Sequence, residues 1–126
     1  NKEKIKILLI EDDPFLLSMF SAKFEMENFQ VISASDGEEG YRMGISENPD
    51  IILLDLVLPK MNGFEVLEKI KADPRAKSIP VIMLTNLNQK DDIDRGLALG
   101  AADYLIKAHY MPSEIVTKIR TIIGKK

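Results

Sequence analysis

The chain has no cysteine and no tryptophan, and His109 is its single histidine. Without cysteine there is no disulfide framework, no thiol nucleophile and no cysteine-held zinc. One histidine with no evident partner residue reads as a loop side chain rather than a general base. Long hydrophobic runs are missing as well: Ile51 to Leu54 falls far short of the roughly 20 apolar residues a membrane-spanning helix needs. Positive charge is not in excess either, and a net charge of -3 weighs against a nucleic-acid or anionic-membrane surface. The start, Asn1-Lys2-Glu3-Lys4, is charged and carries no leader-like pattern. The expectation is a cytoplasmic protein with no direct nucleic-acid partner and no membrane partner. What remains is ordinary for a globular domain: 45% hydrophobic and 29% charged residues over 126 positions, enough to build a core without metal or crosslink. One domain over residues 1–126 is expected, with no output domain in this chain.

Strand and helix signals alternate along the chain. Ile5 to Ile10 is apolar and of strand length, and it ends at Glu11-Asp12-Asp13. Asp13 followed by Pro14 reads as an N-cap and first helical residue, and Leu16, Phe20 and Phe24 then share one helix face. Asn28 suits the end of that helix, and Phe29 to Ser33 reads as a second strand. Asp36 with Glu39 resembles a capping box opening a second helix to about Ser46. Ile51 to Leu54 reads as a strand buried on both faces, Pro59 to Gly63 as loop, and Phe64 to Ala72 as a third helix with Val66, Leu67 and Ile70 inward. Ile79 to Leu84 is a fourth strand. Asn88 to Leu99 is a poor helix, with Ile93, Leu97 and Leu99 nearly its only large apolar side chains and Gly100 at its C′ position. Ala102 to Ile106 is a fifth strand, and Pro112 opens a last helix with Ile115, Val116, Ile119 and Ile123 on its apolar face. Fivefold alternation with short loops predicts an α/β fold: a parallel sheet, doubly wound, with helices on both faces.

Ligands of such sheets bind beyond the carboxyl ends of the strands, near the point where strand order reverses. Glu11, Asp12 and Asp13 follow the first strand, Asp55 ends the third, Thr85 the fourth and Lys107 the fifth. The fold therefore gathers carboxylates, one hydroxyl and one ammonium at one edge. Carboxylates crowded into one cleft need a counter-charge to stay ionised together. A hard divalent cation supplies it, and Mg2+ in particular takes one or two carboxylates, waters and phosphate oxygens. An Asp oxygen beside such an ion can attack phosphorus, while Lys107 and Thr85 hold two further phosphoryl oxygens. Each residue alone has a plainer reading: Asp13 as a helix cap, Asp55 as a solvated strand end, Thr85 as a turn residue, Lys107 as a surface lysine and Tyr104 as a core aromatic. Their convergence favours the phosphoryl-accepting site.

ILLIEDD, IILLDLVLPKMNG, VIMLT and ADYLIK, in this order and spacing, resemble the receiver domain of two-component response regulators over essentially the whole chain. The resemblance implies a flavodoxin-like (βα)5 fold with strand order 2-1-3-4-5. It implies Asp55 as phosphoacceptor, served by a sensor histidine kinase, a phosphotransfer protein or a small phosphodonor such as acetyl phosphate. It implies Asp12, Asp13, Asp55 and the Val57 backbone carbonyl as Mg2+ ligands, Thr85 and Lys107 as catalytic partners, and Thr85 with Tyr104 as the switch pair. The face made by the fourth helix, fifth strand and fifth helix would then control a downstream effector or output domain, or support a homodimer. A receiver of this kind catalyses only its own phosphotransfer and dephosphorylation, so it is not expected to be an enzyme in the ordinary sense.

Two positions depart from that family pattern. Ala108 stands where most receivers have a proline after a cis bond, so a trans bond and a rearranged loop are expected, since a non-proline cis bond costs roughly 2.5–4 kcal/mol. Asn86 is larger than the residue usual after the switch hydroxyl and is expected to narrow access to Asp55. Other functions fit less well. A haloacid-dehalogenase-type hydrolase would need a second Asp where Val57 stands, and an FMN carrier would meet repulsion from Glu11-Asp12-Asp13. A receiver-shaped interaction module that ignores phosphorylation is the remaining rival.

Overall fold

The β-branched and leucine-rich runs form a five-stranded parallel sheet in a computed structural model that describes residues 4–124. Strands β1 (Lys6–Ile10), β2 (Gln30–Ala34), β3 (Ile51–Leu54), β4 (Val81–Thr85) and β5 (Asp103–Ile106) lie in the order β2-β1-β3-β4-β5. Helices α1 (Pro14–Met26), α2 (Gly37–Ser46), α3 (Gly63–Ala72), α4 (Lys90–Ala98) and α5 (Pro112–Gly124) alternate with them. The flavodoxin-like fold with order 2-1-3-4-5 expected from the resemblance is the fold observed.

Successive strand residues point to opposite faces, and each face has its own core. Ile7, Leu9, Ile51, Leu53, Ile82, Leu84 and Leu105 pack with Phe20 and Phe24 of α1 and Ile115, Val116 and Ile119 of α5. Leu8, Ile10, Ile52, Leu54, Met83 and Ile106 pack on the other side with Val66, Leu67 and Ile70 of α3, joined by half-buried residues of α2 and α4. Burial on both sides explains why Ile51–Leu54 is uniformly apolar.

Element boundaries differ from the expected ones for local reasons. Phe29 belongs to the core beneath α1, edge-on to Phe24, and β2 begins one residue later. Pro80 precedes β4, which runs through Thr85 rather than stopping at Leu84. Gly63 is the first residue of α3, because Asn62 and Glu65 form a reciprocal capping box ahead of it. At Asp36 the box is incomplete: its side chain accepts from the Glu39 amide, while Glu39 accepts from Ser35 instead. Lys107–His109 forms a short 3-10 turn between β5 and α5.

Candidate functional site at the carboxyl edge of the sheet

Register brings the expected residues together. Ile10 is paired with Leu54, and Thr85 with Ile106, so Glu11, Asp55 and Lys107 each emerge one step past a paired strand end. The Asp55 amide donates to the Ile10 carbonyl at 3.1 Å, which ties the end of β3 to β1 where strand order reverses. Behind Asp55 the chain turns back tightly. Gly63 donates its amide to the Leu56 carbonyl, and a side chain there would sit 2.3 Å from the Asp55 carbonyl oxygen, so only glycine fits.

These residues line an open cleft of about 320 Å3, bounded by Glu11, Asp12, Asp13, Asp55, Thr85 and Lys107, with Val57, Asn86 and Leu87 at its rim. Glu11, Asp55 and Thr85 are buried, at 2%, 6% and 0% exposure, whereas Asp12 is exposed. The Lys107 ammonium donates to Glu11 Oε1 and to Asp55 Oδ2, the latter at 2.9 Å. Burial alone would depress its pKa, but the hydrogen bonds and charges of Glu11 and Asp55 outweigh burial and raise it. Asp55 Oδ1 accepts from the Val57 amide at 3.3 Å. The Asp55 carboxylate is thus oriented from both sides.

Asp13 does not join the carboxylate group. Its Oδ1 accepts from the Phe15 and Leu16 amides as the N-cap of α1, and its own amide donates to Glu11 Oε2. The carboxylates whose oxygens lie within 4.8 Å of one another are Glu11, Asp12 and Asp55. The structure therefore groups Glu11, rather than the expected Asp13, with Asp12 and Asp55. The signal was present in the sequence, since Asp13 before Pro14 already had a capping role to fill. Oxygen-only, acidic and partly open, this donor set suits a hard divalent cation such as Mg2+.

Thr85 and Tyr104 meet through Leu87. The Leu87 amide donates to Thr85 Oγ1 at 3.3 Å, and the Tyr104 hydroxyl donates to the Leu87 carbonyl at 2.6 Å. Tyr104 is turned inward at 9% exposure, and its pKa is pushed up to about 12 by burial, then by the charges of Asp92 and Asp55. The backbone link at Leu87 could not be read from sequence, because it depends on a loop conformation. His109 is exposed in the 3-10 turn, and the Lys107–Ala108 bond is trans, as expected for a residue other than proline.

Residues 7–120 match the family described as the response regulator receiver domain. The chain belongs to that family. Among curated relatives, the DNA-binding dual master transcriptional regulator RpaA of Synechocystis is 39% identical over 95% of this chain, and the regulatory protein PhoP of Bacillus subtilis 35% over 95%. The chain spans about half the length of these relatives, 49% in each case. Solved structures agree in fold. The receiver domain of the sensor histidine kinase PA1611 of Pseudomonas aeruginosa, with magnesium coordinated in its active-site cleft, has a TM-score of 0.88 at 28% identity, covering 96% of this chain and 98% of that one. A CheY-like receiver domain protein of Methanospirillum hungatei reaches 0.89 at 27% identity, covering 98% and 96%. This receiver is therefore a signalling domain of the two-component response-regulator class. Among its described residues, no helix is long and apolar enough to cross a membrane.

Proposed function

We propose that this receiver is a phosphorylation-dependent switch whose acceptor is Asp55. The observation that carries this reading is the Lys107 ammonium held between Glu11 and Asp55 in a cleft open to solvent. An Asp55 oxygen forms a bond to phosphorus as the phosphorus–nitrogen bond of a kinase phosphohistidine, or the phosphorus–oxygen bond of acetyl phosphate, breaks. Glu11, Asp12 and Asp55, with the Val57 carbonyl, would hold Mg2+, which supplies neutralising charge at the phosphoryl oxygens. Lys107 transfers its hydrogen bond from the Asp55 carboxylate to a phosphoryl oxygen and keeps Glu11 as its anchor. Thr85 exchanges the Leu87 amide for the phosphoryl group. Leu87 is then free to shift, and with it the Tyr104 hydroxyl and the face of α4, β5 and α5. That face controls a downstream effector or output domain, or pairs with a second copy. The upstream partner is a sensor histidine kinase or phosphotransfer protein, in the cytoplasm.

Intact mass after incubation with Mg2+ and acetyl phosphate tests this. Wild type is expected to gain one phosphoryl group and Asp55→Asn none. Failure to form an adduct with either acetyl phosphate or a cognate kinase would support a phosphorylation-independent interaction module, and rapid multiple turnover would support a hydrolase.

A further inference from the structure

One hydrogen bond at the cleft joins the loop after β4 to the turn after β5. The Ala108 amide donates to Asn86 Oδ1 at 3.0 Å, across 22 positions of sequence. Asn86 directly follows Thr85 and Ala108 directly follows Lys107, so the bond links the neighbours of the hydroxyl and the ammonium. Its local cause is clear. The leading amides of a 3-10 turn lack partners inside the turn. Ile106, which precedes the Lys107–His109 turn, offers no side-chain acceptor. The short amide side chain of the neighbouring loop fills that role, and a proline at residue 108 would have had no N–H to give.

Asn86 also stands between two cavities. It lines the acidic cleft, and it lines an adjoining cavity of about 230 Å3 formed with Leu16 and Phe20 of α1, Ala108, Tyr110 and Pro112. Displacement of Thr85 toward the cleft carries the next residue along the backbone, and the Asn86 side chain would drag or release the turn beside α1.

We propose that Asn86 is a positioning residue: it latches the Lys107 turn to the Thr85 loop and relays movement of Thr85 to the segment 107–110. The relay gives the switch a second exit, on the α1–α5 side, besides the one through Leu87 and Tyr104. It rests on phosphorylation of Asp55, whereas the latch itself is testable without it.

Amide exchange and amide shifts of the 15N-labelled protein test both halves. In the unphosphorylated protein, Ala108 is expected to exchange at least about fivefold faster in Asn86→Ala, as for loss of one ordinary hydrogen bond, and near the wild-type rate in Asn86→Asp, which keeps an acceptor. On phosphorylation with Mg2+ and acetyl phosphate, the amides of residues 107–110 are expected to shift in wild type and to shift less than half as far in Asn86→Ala. Leu87 and Tyr104 should respond in both. Unchanged Ala108 exchange in Asn86→Ala, or an undiminished response of residues 107–110, would overturn the latch while leaving the switch intact. A wild type that forms no adduct by mass would overturn the switch reading and the relay with it.

Discussion

Helices α3 and α4 lie on the same face of the sheet, and each follows a strand that delivers a site residue, Asp55 from β3 and Thr85 from β4. They are held in unlike ways. Helix α3 buries Gly63, Phe64, Val66, Leu67 and Ile70 and opens with a reciprocal capping box. In α4 the buried residue is Gly96, Gln89 gives no side-chain cap, Ile93 is half-buried and Leu97 is exposed. The Arg95 guanidinium rests over the Phe64 ring at 4.1 Å, so part of what holds α4 is a contact at the surface of its neighbour. The lesson is a division of labour. If the receiver works as the switch proposed above, α3 would be the reference that stays and α4 the element that yields, since the burial and capping that hold α3 are largely missing from α4.

Substitutions that probe core contacts should separate the two helices most. Leu67→Ala removes a fully buried α3 side chain and is expected to cost about 2–5 kcal/mol in urea unfolding. Gly96→Val comes next, at about 1–3 kcal/mol, because a Cβ at Gly96 already lies 3.0 Å from Tyr104 Cδ2 and the ring must give way. Its more telling readout is the tyrosine. The raised Tyr104 pKa stabilises the fold fully below the ordinary value of 10.0, and this is lost as pH rises through about 12. With the ring displaced outward, Tyr104 should titrate closer to 10.0 and the alkaline loss should shrink, as followed by a ring-labelled tyrosine resonance. Ile93→Ala in α4 should cost least, about 1 kcal/mol, since its side chain is half-exposed. Equal costs for Leu67→Ala and Ile93→Ala would erase the contrast.

Much of this was legible in the sequence, and the failures are instructive. Strand β3 was read residue for residue because burial on both faces leaves only apolar choices. The weakness of α4 was visible in its sparse apolar residues, whereas the Asn62–Glu65 box was overlooked, which set the start of α3 one residue late. The grouping of Asp55, Thr85 and Lys107 followed from their places at strand ends, whereas strand order and the roles proposed for Tyr104 and the switch pair came from the family resemblance, since spacing alone does not order a sheet. Within the site, the sequence placed Asp13 with Asp12 and Asp55, whereas the structure places Glu11 there, because a carboxylate can cap a helix or face a cleft and Asp13 does the first. The Leu87 and Asn86 links were out of reach because loop hydrogen bonds depend on tertiary placement.

Hydrogen exchange with and without Mg2+ and acetyl phosphate addresses the division between α3 and α4 most directly. Amides of α4 and the segment around Leu87 should change protection on phosphorylation, while those of α3 and β3 keep theirs. Protection that shifts equally in both helices, or in α3 alone, would contradict the account.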